Sequence, residues 1–499
     1  MPSQKLVNAL PVDIFRILAG LLCLLYFVTL GLDAKDFSAS TGLINHKLSY
    51  ELFRFTQLGL FHGTLPAYFF YIVYGAASLF CIPIIIGYWT RTFAFLAFLI
   101  AVSAYRWNFL VIYVDDVVMH LLLFWCMLLP LGKTLKLFDR FVQSHQPALN
   151  TGPVLVGTFE LHAFLYNICV IYWIAGLSKL TSPMWQEGTA LYAVLKLPIA
   201  RFPAMWHLDQ LLVLRWLNHG ALLAEIALPF FLMQTRSVVL KVLGGAMQIV
   251  FHLGIIVTIG IPFANLALVG SVVLFFSQEF TERWSQRTEH TIHDVVRRPR
   301  PVVRLKQLFI GLYLWAITLT GFYEVKSLQV AAKVGYVVLW TMGLAQNYHL
   351  FNWIDSRNYT VTNDITTLDA DGRAATIPGE RFFPSSIRHT LLQMNLYGFT
   401  WLPVTADRWH AMRPQLICDI LWRYAERYCR TQRDTQSLTV LSLVRRLQGR
   451  SSDAMPMRHM PLCTFWCAHA RVTALKSRYD PSAQTQGPFF CDRTQETRQ

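Results

Sequence analysis

The sequence predicts an all-α polytopic membrane protein of about nine or ten transmembrane helices, with a small α+β segment at its C-terminal side. Three observations lead there. Of 499 residues, 54% are hydrophobic and 15% charged, whereas soluble domains carry about a quarter charged residues. Mean hydropathy is positive, at +0.38. The polar residues gather in short gaps between long apolar runs and in the last third of the chain.

A helix needs about 20 apolar residues to cross roughly 30 Å of hydrocarbon. Runs of that character are 12–32, 66–88, 92–106, 109–131, 158–179, 214–233, 238–259, 262–277, 305–323 and 330–346. The third, eighth and tenth are short, which leaves tilted half-helices or re-entrant segments open for them. The first is long enough to span and no A-x-A-type cleavage site follows it, so it reads as a helix and not as a signal peptide. Cys23, Cys81, Cys126 and Cys169 lie inside apolar runs, where a thiol behaves as a small hydrophobe. The nine cysteines suggest no disulfide framework.

Lys and Arg near the helix ends set orientation. With the N-terminus inside, the inner loops hold Arg91, then Lys133, Lys136 and Arg140, then Arg236 and Lys241. The strongest group is Arg283, Arg287, Arg297, Arg298, Arg300, Arg304 and Lys306. Arg106, Lys196, Arg201 and Arg215 run against the trend. An even number of spans puts both termini on the cytoplasmic side, at the inner or plasma membrane if the cell is bacterial. The net charge of +15 is taken up by these loops and the C-terminal segment. The lipid bilayer is therefore the expected partner, and no nucleic acid.

The chain divides into a membrane domain over 12–284, further transmembrane helices over 305–346, a basic water-facing segment over 347–448 and a tail over 449–499. Residues 359–368 hold β-branched side chains in near alternation, and Asp369-Ala-Asp-Gly-Arg373 supplies turn chemistry. That pattern predicts a β-hairpin. Residues 414–447 are helical in pattern and rich in Arg, and the irregular polar tail is expected to be disordered. The Asp369 turn is similar to part of a calcium loop, but with Gly372 at the sixth position Pro378 would occupy the place of the required Glu. His459, Cys463, Cys467 and His469 match no usual zinc spacing. No metal is expected.

Ionisable side chains inside a spanning helix are costly unless paired or hydrated, which makes each a functional candidate. Asp116 and His252 both fall about 10 Å below the outer ends of their runs, at 1.5 Å per residue. Lys179 closes its run at that boundary, and Glu225 lies nearer the middle. Asp116 and His120 are four residues apart, on one helix face, spaced to share a hydrogen bond; Asp115 is adjacent. Together these groups point to a polar cavity open to the outer side. The alternatives stay open that Asp115, Asp116 and Glu225 merely join helices, that His252 is a packed histidine and that Lys179 snorkels. Arg16 reads as a snorkelling anchor paired with Asp13.

At Lys179 the residues resemble a known family. Tyr172-Trp-Ile-Ala-Gly-Leu-Ser-Lys-Leu-Thr-Ser-Pro-Met-Trp-Gln-Glu-Gly-Thr-Ala-Leu191 is similar to the horizontally transferred transmembrane (HTTM) domain, shared with vitamin K-dependent γ-glutamyl carboxylase. Ala175, Gly176, Lys179, Leu180, Trp185 and Gly188 meet its pattern of an apolar helix ending A-G-x-x-K-L, followed by Trp and Gly. Asp115-Asp116 ahead of Leu129-Pro-Leu-Gly132, and Phe251-His-Leu-Gly254, also look like the family. The resemblance covers residues 12–284, with a weaker echo over 346–373. It implies that Lys179 is a base acting on a reduced, vitamin K-like quinone. Oxygen then turns the quinol into a strong base that removes the γ-proton of a glutamate in a protein substrate before CO₂ adds. It also implies a matching role for His252. The chain departs from the carboxylase at Ser178, which stands where the carboxylase has a second lysine. No match is found for the carboxylase's upstream histidine, since His162 lies at the other end of its helix, and no counterpart is expected for its large lumenal β-rich domain. Two functions remain: a membrane enzyme with Lys179 as base on a quinol or other lipid-borne substrate, or a non-catalytic membrane module that assembles with a partner or carries a small molecule.

Overall fold

The computed structural model describes residues 6–52, 58–135, 154–234, 237–288, 301–322, 326–345, 351–355, 359–401, 407–446, 458–478 and 492–494. A short strand β1 (Leu6–Asn8) precedes α1 (Leu10–Leu32), α2 (His46–Leu52), α3 (Ala67–Ile86), α4 (Thr90–Trp107) and α5 (Val114–Leu128). Strand β2 (Leu155–Gly157) then leads to α6 (Phe159–Lys179), α7 (Pro183–Glu187), α8 (Ala190–Lys196), α9 (Leu211–Met233), α10 (Val238–Thr258) and α11 (Pro262–Phe275). After these come α12 (Ser277–Thr288), α13 (Pro301–Thr320) and α14 (Gln329–Thr341). The C-terminal part holds β3 (Tyr359–Asp369), β4 (Ala374–Ile377), α15 (Ile387–Trp401) and α16 (Asp407–Thr431). It finishes with β5 (Thr435–Arg446), β6 (Arg458–Ala468), β7 (Arg471–Arg478) and β8 (Asp492–Thr494).

Each apolar run of the sequence falls on a helix. Five of them, α1, α3, α6, α9 and α10, are long and apolar enough to cross a membrane, and the chain is a mostly helical membrane protein. Their outward faces are apolar too: Val250 and Val257 on α10 are 70% and 61% exposed, as surfaces that meet hydrocarbon rather than water should be.

At the end of the bundle where α1 begins, a buried carboxylate organises three chain segments. Asp13 accepts from the backbone N–H groups of Gly132, Lys133, Thr134 and Leu135 at 2.6–3.0 Å and from Arg16 Nε at 3.2 Å. Arg16 is itself fully buried and donates to the carbonyls of Ile84 and Ile85 at 2.7 Å. It is an internal tie and not the snorkelling anchor that its position in α1 suggests. Two glycines make room for it. Gly87 ends α3 at φ +94° with the Arg16 guanidinium against it, and Gly132, at φ +68°, packs on the Gly87 carbonyl; positive φ is open to Gly at no steric cost.

The other end carries a six-stranded antiparallel sheet in the order β4-β3-β5-β6-β7-β8. The expected hairpin is β3–β4, turning at Asp369–Gly372. Two expectations fail here. Residues 435–446 form strand β5, not the end of a helix: Leu438 and Val440 are buried with a period of two, the pleated-strand pattern. Residues 458–478, placed in a disordered tail, form β6 and β7, and their Cys463, Phe465, Val472 and Leu475 complete the same apolar face. That face packs on Leu416, Ile420, Tyr424 and Tyr428 of α16. Cysteine chemistry differs as well. Cys429 and Cys467 form a disulfide joining α16 to β6, and Cys418 is also disulfide-bonded.

The sheet end is tied to the bundle by charge and by a shared core. Phe37, Leu43, Ile44, Leu110 and Val111 of the interhelix connections belong to the same apolar cluster as the sheet. Arg388 of α15 reaches Asp116 at 3.1 Å and Asp33 at 3.4 Å, and Asp36 takes both Arg427 and His389. Burial pushes the Asp36 carboxyl up, but the hydrogen bonds from His389 and Arg427 outweigh it and hold the group well below the usual carboxylate range. The C-terminal part thus lies at the end where α1 finishes, opposite β1, and not beside the N-terminus as an even count of spans requires. The segment after α14 (13 residues) is held at the sheet end, where Gly343 accepts from His120 Nδ1 at 3.1 Å and Trp340 packs on Tyr105 and Phe109.

Candidate functional site

The site is assembled where α6, α9, α10 and α11 approach the sheet end. Gly176 lets α9 come close to α6: a Cβ there would stand 2.9 Å from Ile226 and 3.3 Å from the Glu225 Cβ. One turn further, Lys179 Nζ therefore meets the Glu225 carboxylate at 2.5 Å, with both side chains buried. The Trp185 ring lies 5.0 Å from the same ammonium. The residues after Lys179 are fixed from three sides. Ser182 caps α7 and donates to Asp355 at 2.5 Å, Trp185 Nε1 donates to the Phe351 carbonyl at 2.9 Å, and Asn218 of α9 donates to the Trp185 carbonyl at 2.9 Å.

Across from this pair, His252 sits between two partners. Asn265 Nδ2 donates to the Ile261 carbonyl at 2.5 Å, which turns its Oδ1 toward His252 Nδ1 at 2.7 Å. Nδ1 is then the protonated nitrogen, and Nε2 is left to accept from the Tyr172 hydroxyl at 2.5 Å. The resulting relay runs Tyr172 O–H to His252 to Asn265. Such an arrangement lets the phenol give up its proton to an imidazole whose tautomer is held by an amide.

Glu225, Tyr172, His252 and Asn265 line one cavity of about 60 Å³, whose other walls are apolar: Val114, Val118, Ile171, Ala264, Leu268 and Phe351 among them. A water needs about 10–15 Å³ of such space, so the cavity accepts a few waters as it stands. Lys179 is behind Glu225, touching the cavity through it.

The structure brings Glu225 and His252 together with Lys179 and separates the other candidates from them. Asp115 accepts from the first free N–H groups of α11, those of Phe263 and Ala264, at 3.2 and 2.7 Å. Pro262 at the start of that helix has no N–H to satisfy. Asp116 accepts from Tyr26 at 2.7 Å, from Arg388, and from Tyr113 N at 2.9 Å. His120 is bonded to Gly343 and shares no hydrogen bond with Asp116, contrary to the four-residue spacing, because Arg388 and Tyr26 take the carboxylate. Asp115 still bears on the site, since it anchors the helix that presents Asn265.

No family model matches the chain, and no curated protein or solved structure matches it. The site is thus read from its own geometry. Sequence reasoning missed Tyr172 and Asn265 because it followed ionisable groups alone. Tyr172 is two helical turns before Lys179, on the same face, and Asn265 is an amide inside an apolar run; both are polar groups at a depth where polarity is expensive. Among the described residues no group of three or more His, Cys, Asp or Glu is placed to hold a metal ion.

Proposed function

We propose that this chain is a multi-pass membrane enzyme of the HTTM type that moves a proton on a lipid-borne hydroxyl compound, a reduced quinone being the best fit. The observation that supports this reading is the convergence of Glu225, Tyr172 and His252 on one otherwise apolar cavity, with Lys179 paired to Glu225 at its edge. A group that only joins helices needs no cavity. In the proposed chemistry the substrate hydroxyl meets the Tyr172 oxygen, whose own proton is already directed at His252 Nε2. Proton transfer along that bond makes Tyr172 the acceptor for the substrate proton. For a second substrate hydroxyl Lys179 serves as base through Glu225, which lines the cavity in front of it; the two first share their proton as amine and acid with no net change of charge. A ring requires more than about 60 Å³; Ile261 and Phe351 are the walls outside the helices, and Phe351, from a separate segment, is the natural one to move.

We infer further that the sheet faces the outer, oxidising side and the N-terminus the inner. The Cys429–Cys467 disulfide suits an oxidising compartment, and Lys306 lies near the opposite end, bonded to Glu160 at the start of α6. Lys179 and the sheet then share a side.

The test is to purify the protein in mild detergent, extract it for bound quinone, and follow labelled CO₂ into a glutamate-containing partner. Lys179→Met, Tyr172→Phe and His252→Asn should each abolish turnover with membrane insertion intact. Activity retained in Lys179→Met would remove the reading. The non-catalytic alternative draws on one observation: Lys179 and Glu225 neutralise each other, as a purely structural tie would. Absence of any bound quinone together with unlabelled partners would favour it.

A further inference from the structure

The tenth apolar run, 330–346, gives a helix, α14, that does not follow the axis of the bundle, as the depths of its neighbours reveal. Helix α13 runs beside α6 in the same direction and in constant register. Lys306 bonds Glu160 at 2.8 Å and the Tyr313 hydroxyl bonds Asn167 at 2.8 Å, both pairs 146 residues apart. Gly321, packed on Ile174, keeps that register. Ala316 of α13 is therefore level with position 170 of α6, about 14 Å short of Lys179 at 1.5 Å per residue.

Gly335, the middle of α14, stands on Ala316: a Cβ there would be 3.5 Å from the Ala316 carbonyl oxygen. Gly343, just past the end of α14, accepts from His120, which lies about 9 Å into α5 from its sheet end. From Gly335 to Gly343 a helical chain advances about 12 Å, yet its depth in the bundle changes by only about 5 Å. Helix α14 thus lies nearer to the membrane plane than to its normal, in the sheet-side half of the bundle.

Its two faces differ. Ala332, Gly335 and Leu339 are buried against the bundle. Val330, Val334, Val337 and Val338 face outward, the first two at 78% and 61% exposure. That valine face continues the exposed row Leu305, Leu308, Leu312 and Trp315 of α13, a surface that meets hydrocarbon. Lys326 and Lys333 are exposed beside it; Glu324 lies outside the described residues. An ammonium in hydrocarbon is costly. The four-carbon stem of Lys333 is shorter than the depth that separates Gly335 from the level of Lys179, so head groups have to come down to it. Bilayers adapt in this way to short apolar stretches, by thinning.

We propose that α14 is an in-plane membrane helix. Its valine face rests on acyl chains of the sheet-side leaflet, and phosphates of that leaflet descend to Lys326 and Lys333, thinning it beside α13. This surface does not depend on the chemistry at His252.

The test uses the full chain in phosphatidylcholine vesicles, with a bimane fluorophore on one introduced cysteine and lipids brominated either just below the head group or near the chain ends. The free native cysteines among the described residues are buried, and the unsubstituted protein carried through the same labelling sets the background. Bimane at Val334→Cys and at Val337→Cys should be quenched about twofold more by the shallow bromines than by the deep ones. Bimane at Val250→Cys, near the middle of α10, should show the reverse and reports an inserted bundle. Bimane at Lys333→Cys should in addition be quenched by aqueous iodide. Quenching of Val334→Cys by iodide alone would put the helix in water, and quenching by neither bromines nor iodide would put it against a second protein surface. A preference for the deep bromines at Val334→Cys, or shielding of Lys333→Cys from iodide, would make α14 an ordinary wall in an unthinned leaflet. Each of these results would overturn the proposal.

Discussion

Replacing Lys179 by Met strands the Glu225 carboxylate in the protein interior. In the native pair the two side chains are 4% and 8% exposed and 2.5 Å apart. Removing one member of such a pair costs about 3–5 kcal/mol, because the charge left behind keeps its desolvation penalty and loses its partner. Changing Glu225 to Gln as well removes that charge, and a buried pair exchanged for neutral groups of similar volume is often near neutral in stability. The double variant should therefore recover more than half of the loss. A change of this size lowers a melting midpoint by about 3–5 °C in a chain of 499 residues. Tryptophan fluorescence during heating in detergent measures it, with turnover assayed on the same samples. Stability should return in the double variant and turnover should not. A Lys179→Met protein that melts with the wild type would refute the buried ion pair, and a double variant as unstable as the two single losses combined would refute the account of its cost.

Asp13→Ala leaves four N–H donors and the buried Arg16 guanidinium without their acceptor, and should cost at least about 3 kcal/mol; limited proteolysis after Leu129, faster than in wild type, checks it. Burial holds His46 down at about 3, against about 6.5 when unfolded. Its contribution is complete above pH ~6.5 and is lost as pH falls toward 3, at about 1.4 kcal/mol per unit. His46→Gln should flatten the dependence of thermal stability between pH ~6.5 and ~4.5, and an unchanged slope would assign it to other groups. Cys429→Ser with Cys467→Ser should destabilise the sheet by about 2–4 kcal/mol. On intact cells, a maleimide reagent should modify wild-type Cys429 and Cys467 only after reduction, and modification without reductant would place the sheet in a reducing compartment.

The apolar runs were legible because hydrophobic length needs no knowledge of neighbours; every one became a helix. The β3–β4 hairpin was legible for a similar local reason, in its β-branched alternation and its Asp-Gly turn. What failed depended on partners far along the chain. The alternation Leu438, Val440 follows an Arg-rich helical stretch without a break, and only the facing Cys463 and Phe465 make it a strand. The side on which the chain ends turned on whether thirteen residues of α14 return across the bundle, a matter of packing against Tyr105 and His120. Lys179, Glu225 and His252 were recognisable as costly groups, while the pairing of residues 46 apart and the relay through Tyr172 and Asn265 were not.

Phe351 completes the cavity wall, and Asp355 and Arg388 lock the segments around it, though all of the other lining residues come before position 270. A ribosome has thus made almost all of the helices before the site can close. Polypeptides that stop near residue 345 should insert and yet hold Glu225 and His252 beside an unfinished wall. Premature termination late in the reading frame would then be as damaging as a change at Lys179, and a cell could monitor completion of this protein simply by whether its last third has folded down onto the bundle.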